Sequence, residues 1–268
     1  MFIDKVFQHI EQKFKGELGN LTISDVRIGA FLGAVKLSDG SYGIASAIKD
    51  SDIHCDKKER DFGDFTPLQI VGLKVSDLFA HEKNTATVQI LKIAALNAFF
   101  HRFVKDNSYK ILRNTDPIDI LDLNKYKNVA MVGAFHSYIN KLSKFNNNLQ
   151  VLELNKNAFL PHHAQYYVSA EKYEEVISNA DLVIITGLTL VNNTFDNLLA
   201  AISPKSKSIV IGPSSGIVPD LFFEKQIDII GGTLITNSEK LFPLVSQGAA
   251  GYHLFKYCAE KICVLNEI

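Results

Sequence analysis

Apolar positions follow two different rhythms along this chain. At the start, Phe2, Val6, Ile10 and Phe14 stand four apart, the spacing of one helical face, and Gly16 and Gly19 close the pattern. Residues 25–31 (DVRIGAF), 32–38 (LGAVKLS) and 41–48 (SYGIASAI) then read as strands. Ser38-Asp39-Gly40 suits a hairpin turn, because glycine accepts the positive φ such turns need, so an antiparallel three-stranded meander is the simplest arrangement. After a charged stretch at 50–65 comes a short helix near VSDLFA (75–80), then a longer one, ATVQILKIAALNAFFHRFV (86–104). Val88, Leu91, Ala95, Phe99 and Phe103 form one stripe of the long helix, but Ile90, Ile93 and Phe100 lie on other sides. The pattern therefore predicts burial nearly all round.

From residue 108 the rhythm changes. Short apolar runs of strand length alternate with helical stretches: 128–133 with 135–144, 149–154 with 171–180, 181–187 with 194–202, 207–213 with 218–225, and 227–232 with 238–245. Strands apolar on both faces, separated by helices, are the mark of a parallel sheet with right-handed crossovers. The expected fold class is α/β, an α+β domain over 1–107 followed by a Rossmann-like domain over 108–268. The boundary is expected in the polar stretch 105–119, which contains Asp116-Pro117.

Composition narrows the class. Of 268 residues 47% are hydrophobic and 21% charged, which excludes a disordered chain. Lys and Arg number 28 against 29 Asp and Glu, a balance that argues against a nucleic-acid-coating surface or a polybasic membrane anchor. No apolar run approaches the ~18 residues a membrane span needs. Asp4, Lys5 and Glu11 interrupt what would be the core of a signal peptide, so a soluble cytoplasmic protein is expected. Three cysteines are too few for a disulfide scaffold. Cys258 and Cys263, five apart on an expected helix, face different directions and read as small buried hydrophobes; Cys55, between His54 and Asp56, reads as part of a surface loop.

In a doubly wound sheet, ligands bind beyond the carboxyl ends of the strands, where strand order reverses. The first strand of the second half ends at Gly133, followed by Ala134, Phe135 and His136. A ligand could approach the backbone there, although no G-x-G-x-x-G is present and a plain strand-to-helix turn explains the glycine equally well. Glu153 follows twenty residues later at the end of the second strand, the place and spacing of the acid that holds a ribose hydroxyl in dinucleotide folds. The third strand leads into the densest polar cluster, Thr186, Gly187, Thr189, Asn192, Asn193 and Thr194. Neutral hydroxyls and amides suit a sugar, heterocycle or amino-acid headgroup better than a bare metal ion, and one of the asparagines can cap the next helix. Gly212-Pro213-Ser214-Ser215-Gly216 ends the fourth strand, and Gly231-Gly232 the fifth. Adjacent His162 and His163 project differently and form a poor metal pair; His136 is better placed, and His101 reads as a residue at the core's edge. Asn97, an amide among AALNAFF, must find partners, either within the first half or across in the cleft of the second. No P-loop, HExxH, CxxC or Ser-His-Asp order appears.

These residues resemble a specific family. TGLTLVNNTFDNLL (186–199) is similar to the signature of a bacterial and archaeal family labelled "putative heavy-metal chelation", whose pattern is close to TG-x-TLVNGT-x-x-x-LL; this chain has Asn193 where glycine is usual. The resemblance extends to VGAFHSY (132–138), where the family tends to have proline in place of His136, to Glu153 and IGPSS (211–215), and to YGIAS, IVGLKVSDLF and AALNA in the first half. It implies an enolase N-terminal-like domain, a Rossmann-like domain, and a cleft between them for precursors of pterins, flavins or siderophore-like chelators. By match, Asn97, Gly133, Glu153, Thr186, Thr189, Asn192, Thr194, Gly212, Pro213 and Ser214 carry over as cleft residues; Phe135 and Gly187 lie within the same loops.

The resulting expectation is an interdomain cleft for a small heterocyclic or amino-acid-derived metabolite, nucleotide- or pterin-like, with no metal bound directly by the protein. In an enzyme of chelator metabolism, Glu153 would bind a hydroxyl or act as acid/base and Asn97 would reach across from the other domain. The alternative is a binding or delivery protein for a metal–chelator complex. The residues specify no cofactor, and leave a homo-oligomer open.

Overall fold

The computed structural model describes residues 1–48, 67–81, 85–104 and 108–266. His54, Cys55 and Asp56, expected in a surface loop, and residues 105–107 of the expected boundary lie outside these. No helix among the described residues is long and apolar enough to cross a membrane.

The first half runs α1 (Phe2–Lys13), α2 (Glu17–Asn20), β1 (Ile23–Ile28), β2 (Leu32–Leu37), β3 (Tyr42–Ser46), α3 (Val75–Ala80) and α4 (Ala86–Phe100). The strands form the antiparallel meander β1-β2-β3, and Gly40 at φ +85° makes the β2–β3 turn. Helix α4 is buried at every position from Val88 to Phe100, and Thr85 caps its start by accepting from the Val88 N–H. Its backbone lies directly on β3: a Cβ on Gly43 would stand 1.9 Å from the Ala94 carbonyl oxygen. Even Lys92 is buried on α4, its ammonium 3.0 Å from Asp4 of α1.

The second half runs β4 (Lys110–Arg113), β5 (Asn128–Val132), α5 (His136–Leu142), β6 (Asn148–Glu153), β7 (Tyr167–Ser169), α6 (Tyr173–Ser178), β8 (Leu182–Thr186), α7 (Leu188–Val191), α8 (Phe195–Ala201), β9 (Lys207–Ile211), α9 (Asp220–Glu224), β10 (Ile229–Ile235), α10 (Ser238–Ser246), α11 (Gly251–Tyr257) and β11 (Ala259–Leu265). They build one sheet in the order β4-β11-β10-β9-β8-β5-β6-β7. The six strands from β10 to β7 are parallel, and β11 and β4 add antiparallel to one side. The class is thus the expected one, a small antiparallel sheet followed by a large, mostly parallel one. Alternate residues of the central strands feed two cores: Ala130, Val183 and Val210 join the core shared with α1 and α4, while Val129, Met131 and Ile184 face α5.

Three local expectations are corrected. Cys258 and Cys263 do not share a helix, because α11 ends at Tyr257 and Cys263 sits in β11. Period-2 alternation decides the strand, with Ile262 and Val264 on one core and Cys263 on the other. Residues 188–191 form one helical turn where a loop was expected. Finally, the first strand stops at Ile28, leaving Phe31 half-exposed in the turn.

Candidate functional site

Strand order reverses beside β5, which has β6 on one side and β8 on the other. The carboxyl ends of these three strands surround a pocket of about 430 Å³. Its wall includes Gly133, Phe135, Glu153, Thr186, Thr189, Asn192 and Thr194, so the structure gathers seven of the residues singled out above into one place.

Each wall residue is held locally. Gly133 turns the chain at φ +94°, and its N–H donates to the Leu152 carbonyl, which ties the end of β5 to β6. Both oxygens of Glu153 are oriented by backbone: Oε2 accepts from the Ala134 N–H and Oε1 from the Asn155 N–H, each at 3.1 Å. Each oxygen keeps a lone-pair direction for a ligand hydroxyl. The Thr186 Oγ1 accepts from the Leu188 N–H, so its own proton is available to a ligand. Thr189 donates to the Thr186 carbonyl at 2.6 Å, and Thr194 donates to Asn192 Oδ1 at 2.7 Å, so these two hydroxyls fix the loop. Asn192 keeps its amide donors. It caps the turn at Thr194 N–H rather than α8 directly. Asn193 stands at φ +60°, a left-handed conformation that asparagine tolerates better than other non-glycine residues, which accounts for a position where the family pattern has glycine.

Other expected site residues go elsewhere. Gly212 and Pro213 line a second cavity, on the far side of Phe135. Ser214 is buried, and its hydroxyl oxygen accepts from the Ser46 N–H of β3 at 2.8 Å. Gly187 lines neither cavity; its N–H bonds the Ile211 carbonyl, and a Cβ there would meet the Ser215 nitrogen at 3.0 Å. Asn97 is also buried, with its amide donating to the Pro213 carbonyl at 3.0 Å. It does reach the second half, but as part of a packed joint. The 430 Å³ pocket is lined by residues of the second half alone, and at Asn97 and Ser214 the two halves meet in a packed joint.

Leu154, Glu171, Tyr173, Leu188, Asn197 and Leu198 also line the wall and were not singled out from sequence. Leu154 is 76% exposed immediately after Glu153, an apolar face beside an acceptor carboxylate. The run VLEL carried that signal, because its last leucine lies beyond the end of the strand.

The histidines form a chain of their own. His163 Nε2 lies 2.7 Å from Asn140 Oδ1, and its Nδ1 lies 3.0 Å from His136 Nδ1. Burial holds the His163 ring below the ordinary histidine range, reinforced by His162 and His136. A neutral ring donating from Nε2 must accept at Nδ1, so His136 donates from its own Nδ1. His101 instead accepts from the Ile235 N–H at 3.0 Å, joining α4 to β10. Among the described residues no three His, Cys, Asp or Glu side chains are placed to hold a metal ion.

Comparison with known proteins places this geometry in a family. Residues 116–264 and 11–100 match two family models that carry the same description, "Putative heavy-metal chelation". An uncharacterized protein of Methanocaldococcus jannaschii is 25% identical over 179 residues, 65% of this chain and 64% of that protein's length. A crystal structure of a protein of unknown function from Pyrococcus horikoshii superposes with a TM-score of 0.79 at 16% identity, covering 99% of this chain and all of that one. Another, from Desulfitobacterium hafniense, does so with 0.71 at 15% identity, covering 95% and 98%. The latter two identities bear on the fold alone. This chain belongs to the "Putative heavy-metal chelation" family.

Proposed function

We propose that this cytoplasmic protein binds a small heterocyclic, nucleoside-like metabolite at the ends of β5, β6 and β8, as an enzyme of chelator metabolism linked to heavy-metal handling. The observation that carries the reading is Glu153. Its carboxylate stands at the end of the strand next to the first, is oriented by two backbone N–H groups, and opens onto a 430 Å³ pocket. That volume lies in the range of small-molecule sites. A pair of vicinal hydroxyls on Glu153, a flat ring over Leu154, and donors from Thr186 and Asn192 would fill it. Glu171, on the same wall, supplies a second carboxylate for acid/base work.

A delivery protein that holds a metal–chelator complex without turnover is the second reading. It is favoured by the way Thr189 and Thr194 are engaged within their own loop, which suits a rigid receptor. Calorimetric titration with adenosine and with S-adenosylmethionine tests the site: binding to the wild type, weakened at least about tenfold in Glu153→Ala and in Asn192→Ala, is expected. Unchanged affinity in both variants overturns the assignment. A turnover screen with pterin and catecholate precursors separates the enzyme from the carrier.

A further inference from the structure

Phe135 lines two cavities. The second, about 350 Å³, lies beyond the end of β9 and against the middle of β10, between α5 and α11. We propose that it is a binding site for a planar aromatic carboxylate, with the ring between Phe135 and the aromatic side chains of α11 and the carboxylate on Thr233 and Lys261. This site is separate from the pocket at Glu153 and stands whether or not that pocket takes a nucleoside.

The polar end is built by register. Thr233 of β10 pairs directly with Lys261 of β11, so both side chains emerge on one face of the sheet, and both line the cavity. Thr233 is only 3% exposed, yet its hydroxyl makes no hydrogen bond to another described residue. Facing the cavity, it is a donor that an acceptor arriving there can use. Lys261 places its ammonium 2.6 Å from Asp116 Oδ2, which leaves two of its three N–H donors. Asp116 is engaged by two more donors: Oδ1 accepts from the Tyr138 hydroxyl and from the Ile118 N–H. Proline packing holds it there, for Pro117 Cγ lies 2.5 Å from where a Cβ on Gly231 would be. The cavity therefore sets the Thr233 hydroxyl beside two ammonium N–H donors, and the Asp116 carboxylate is already engaged by three donors, so the ligand group that matches them is an anionic acceptor.

The remaining wall selects shape. Tyr252 and Phe255 of α11 stand 71% and 37% exposed at the rim, and Phe135 faces them. The backbone of Gly212 and Gly232 and the apolar side chains of Ile211 and Ile262 line the cavity as well. Aromatic sides favour a planar ring, which stacks where a puckered one does not.

Titration with benzoate, followed by calorimetry and by ¹H–¹⁵N shifts of Thr233 and Gly232, tests the site. Benzoate is expected to bind, to shift those two amides, and to bind at least about tenfold tighter than cyclohexanecarboxylate. Thr233→Val, which keeps the shape and removes the donor, and Lys261→Met should each weaken benzoate about tenfold. Tyr252→Ala, an exposed position where folding is not at stake, should weaken it several-fold. Glu153→Ala should leave benzoate binding unchanged, and Thr233→Val should leave adenosine binding unchanged, so the two sites fail separately. No saturable benzoate binding, or an affinity indifferent to Thr233→Val and Tyr252→Ala, overturns the proposal.

Discussion

Asn97 in the last turn of α4 donates its side-chain amide to the carbonyl of Pro213, 116 residues away, at 3.0 Å. Beside it, the position of a Cβ on Gly216 lies 2.9 Å from the Asn97 amide nitrogen, so the loop closes directly over the side chain. With Ser46 donating to Ser214 and Ile235 to His101, this makes a hydrogen-bonded seam between the long helix, the small sheet and the large one. The first half is therefore a buttress for the loop after β9, and the pocket at Glu153 is formed beside that buttress.

Asn97→Leu leaves the part-buried Pro213 carbonyl without its donor. The expected cost is about 1–3 kcal/mol of unfolding free energy, measured by urea denaturation. Adenosine affinity should stay within about twofold of wild type, since Asn97 lines neither cavity. A variant of full stability that had lost ligand binding would return Asn97 to the site.

Gly43→Ala tests the contact of α4 on β3. The added methyl would lie 1.9 Å from one backbone atom of α4 and 2.3 Å from another, neither of which can rotate away. Helix and sheet must separate, and a loss of roughly 3 kcal/mol or more is expected, above the usual range for one added methyl. Thermal unfolding of the variant within a degree or two of wild type would mean that the helix and sheet are less closely packed than described.

The buried His163 makes stability depend on pH in a defined direction. Its pKa in the folded protein is lowered by burial and by the neighbouring rings of His162 and His136. Above about pH 6.5 the ring is neutral in both folded and unfolded chains and contributes no slope. As pH falls below that value the unfolded chain takes up the proton while the folded one resists it, so stability declines toward acid. Unfolding free energies at pH 7.5, 6.5 and 5.5 should fall more steeply for the wild type than for His163→Gln. Parallel curves would assign the slope to other groups.

The two described cysteines should resist thiol reagents in the native protein. Burial and the nearby Asp116 and Asp119 carboxylates push Cys263 up to about 12, and burial raises Cys258. At pH 8 the thiolate of Cys263 is then about one part in ten thousand, and neither sulfur meets the solvent. Mass spectrometry after treatment with a disulfide reagent should find both residues unmodified in the native protein and both modified in urea. Modification of Cys263 within minutes under native conditions would contradict its burial.

Much of the site was legible because a parallel sheet makes its own address. The runs at 128–133, 149–154 and 181–187 are apolar on both faces, so they must be central strands, and ligands gather at the carboxyl ends of such strands. Gly133, Glu153, Thr186 and Asn192 could be placed by that rule alone. Cys258 and Cys263 show where local pattern fails. AEKICVL is short enough to fit either a helix or a strand, and only pairing with β10 decides between them.

The chain's own periodicity determined the two kinds of sheet, the buried helix α4 and the loops that hold polar groups, because those follow from which side chains avoid water over a few neighbouring residues. Only the tertiary structure decided what each polar group faces. Asn97 and Ser214 carry the same chemistry as Asn192 and Thr186, yet they close a joint while the other two open onto a cavity. That difference depends on contacts between residues more than a hundred positions apart, and on the volume left when two cores have packed.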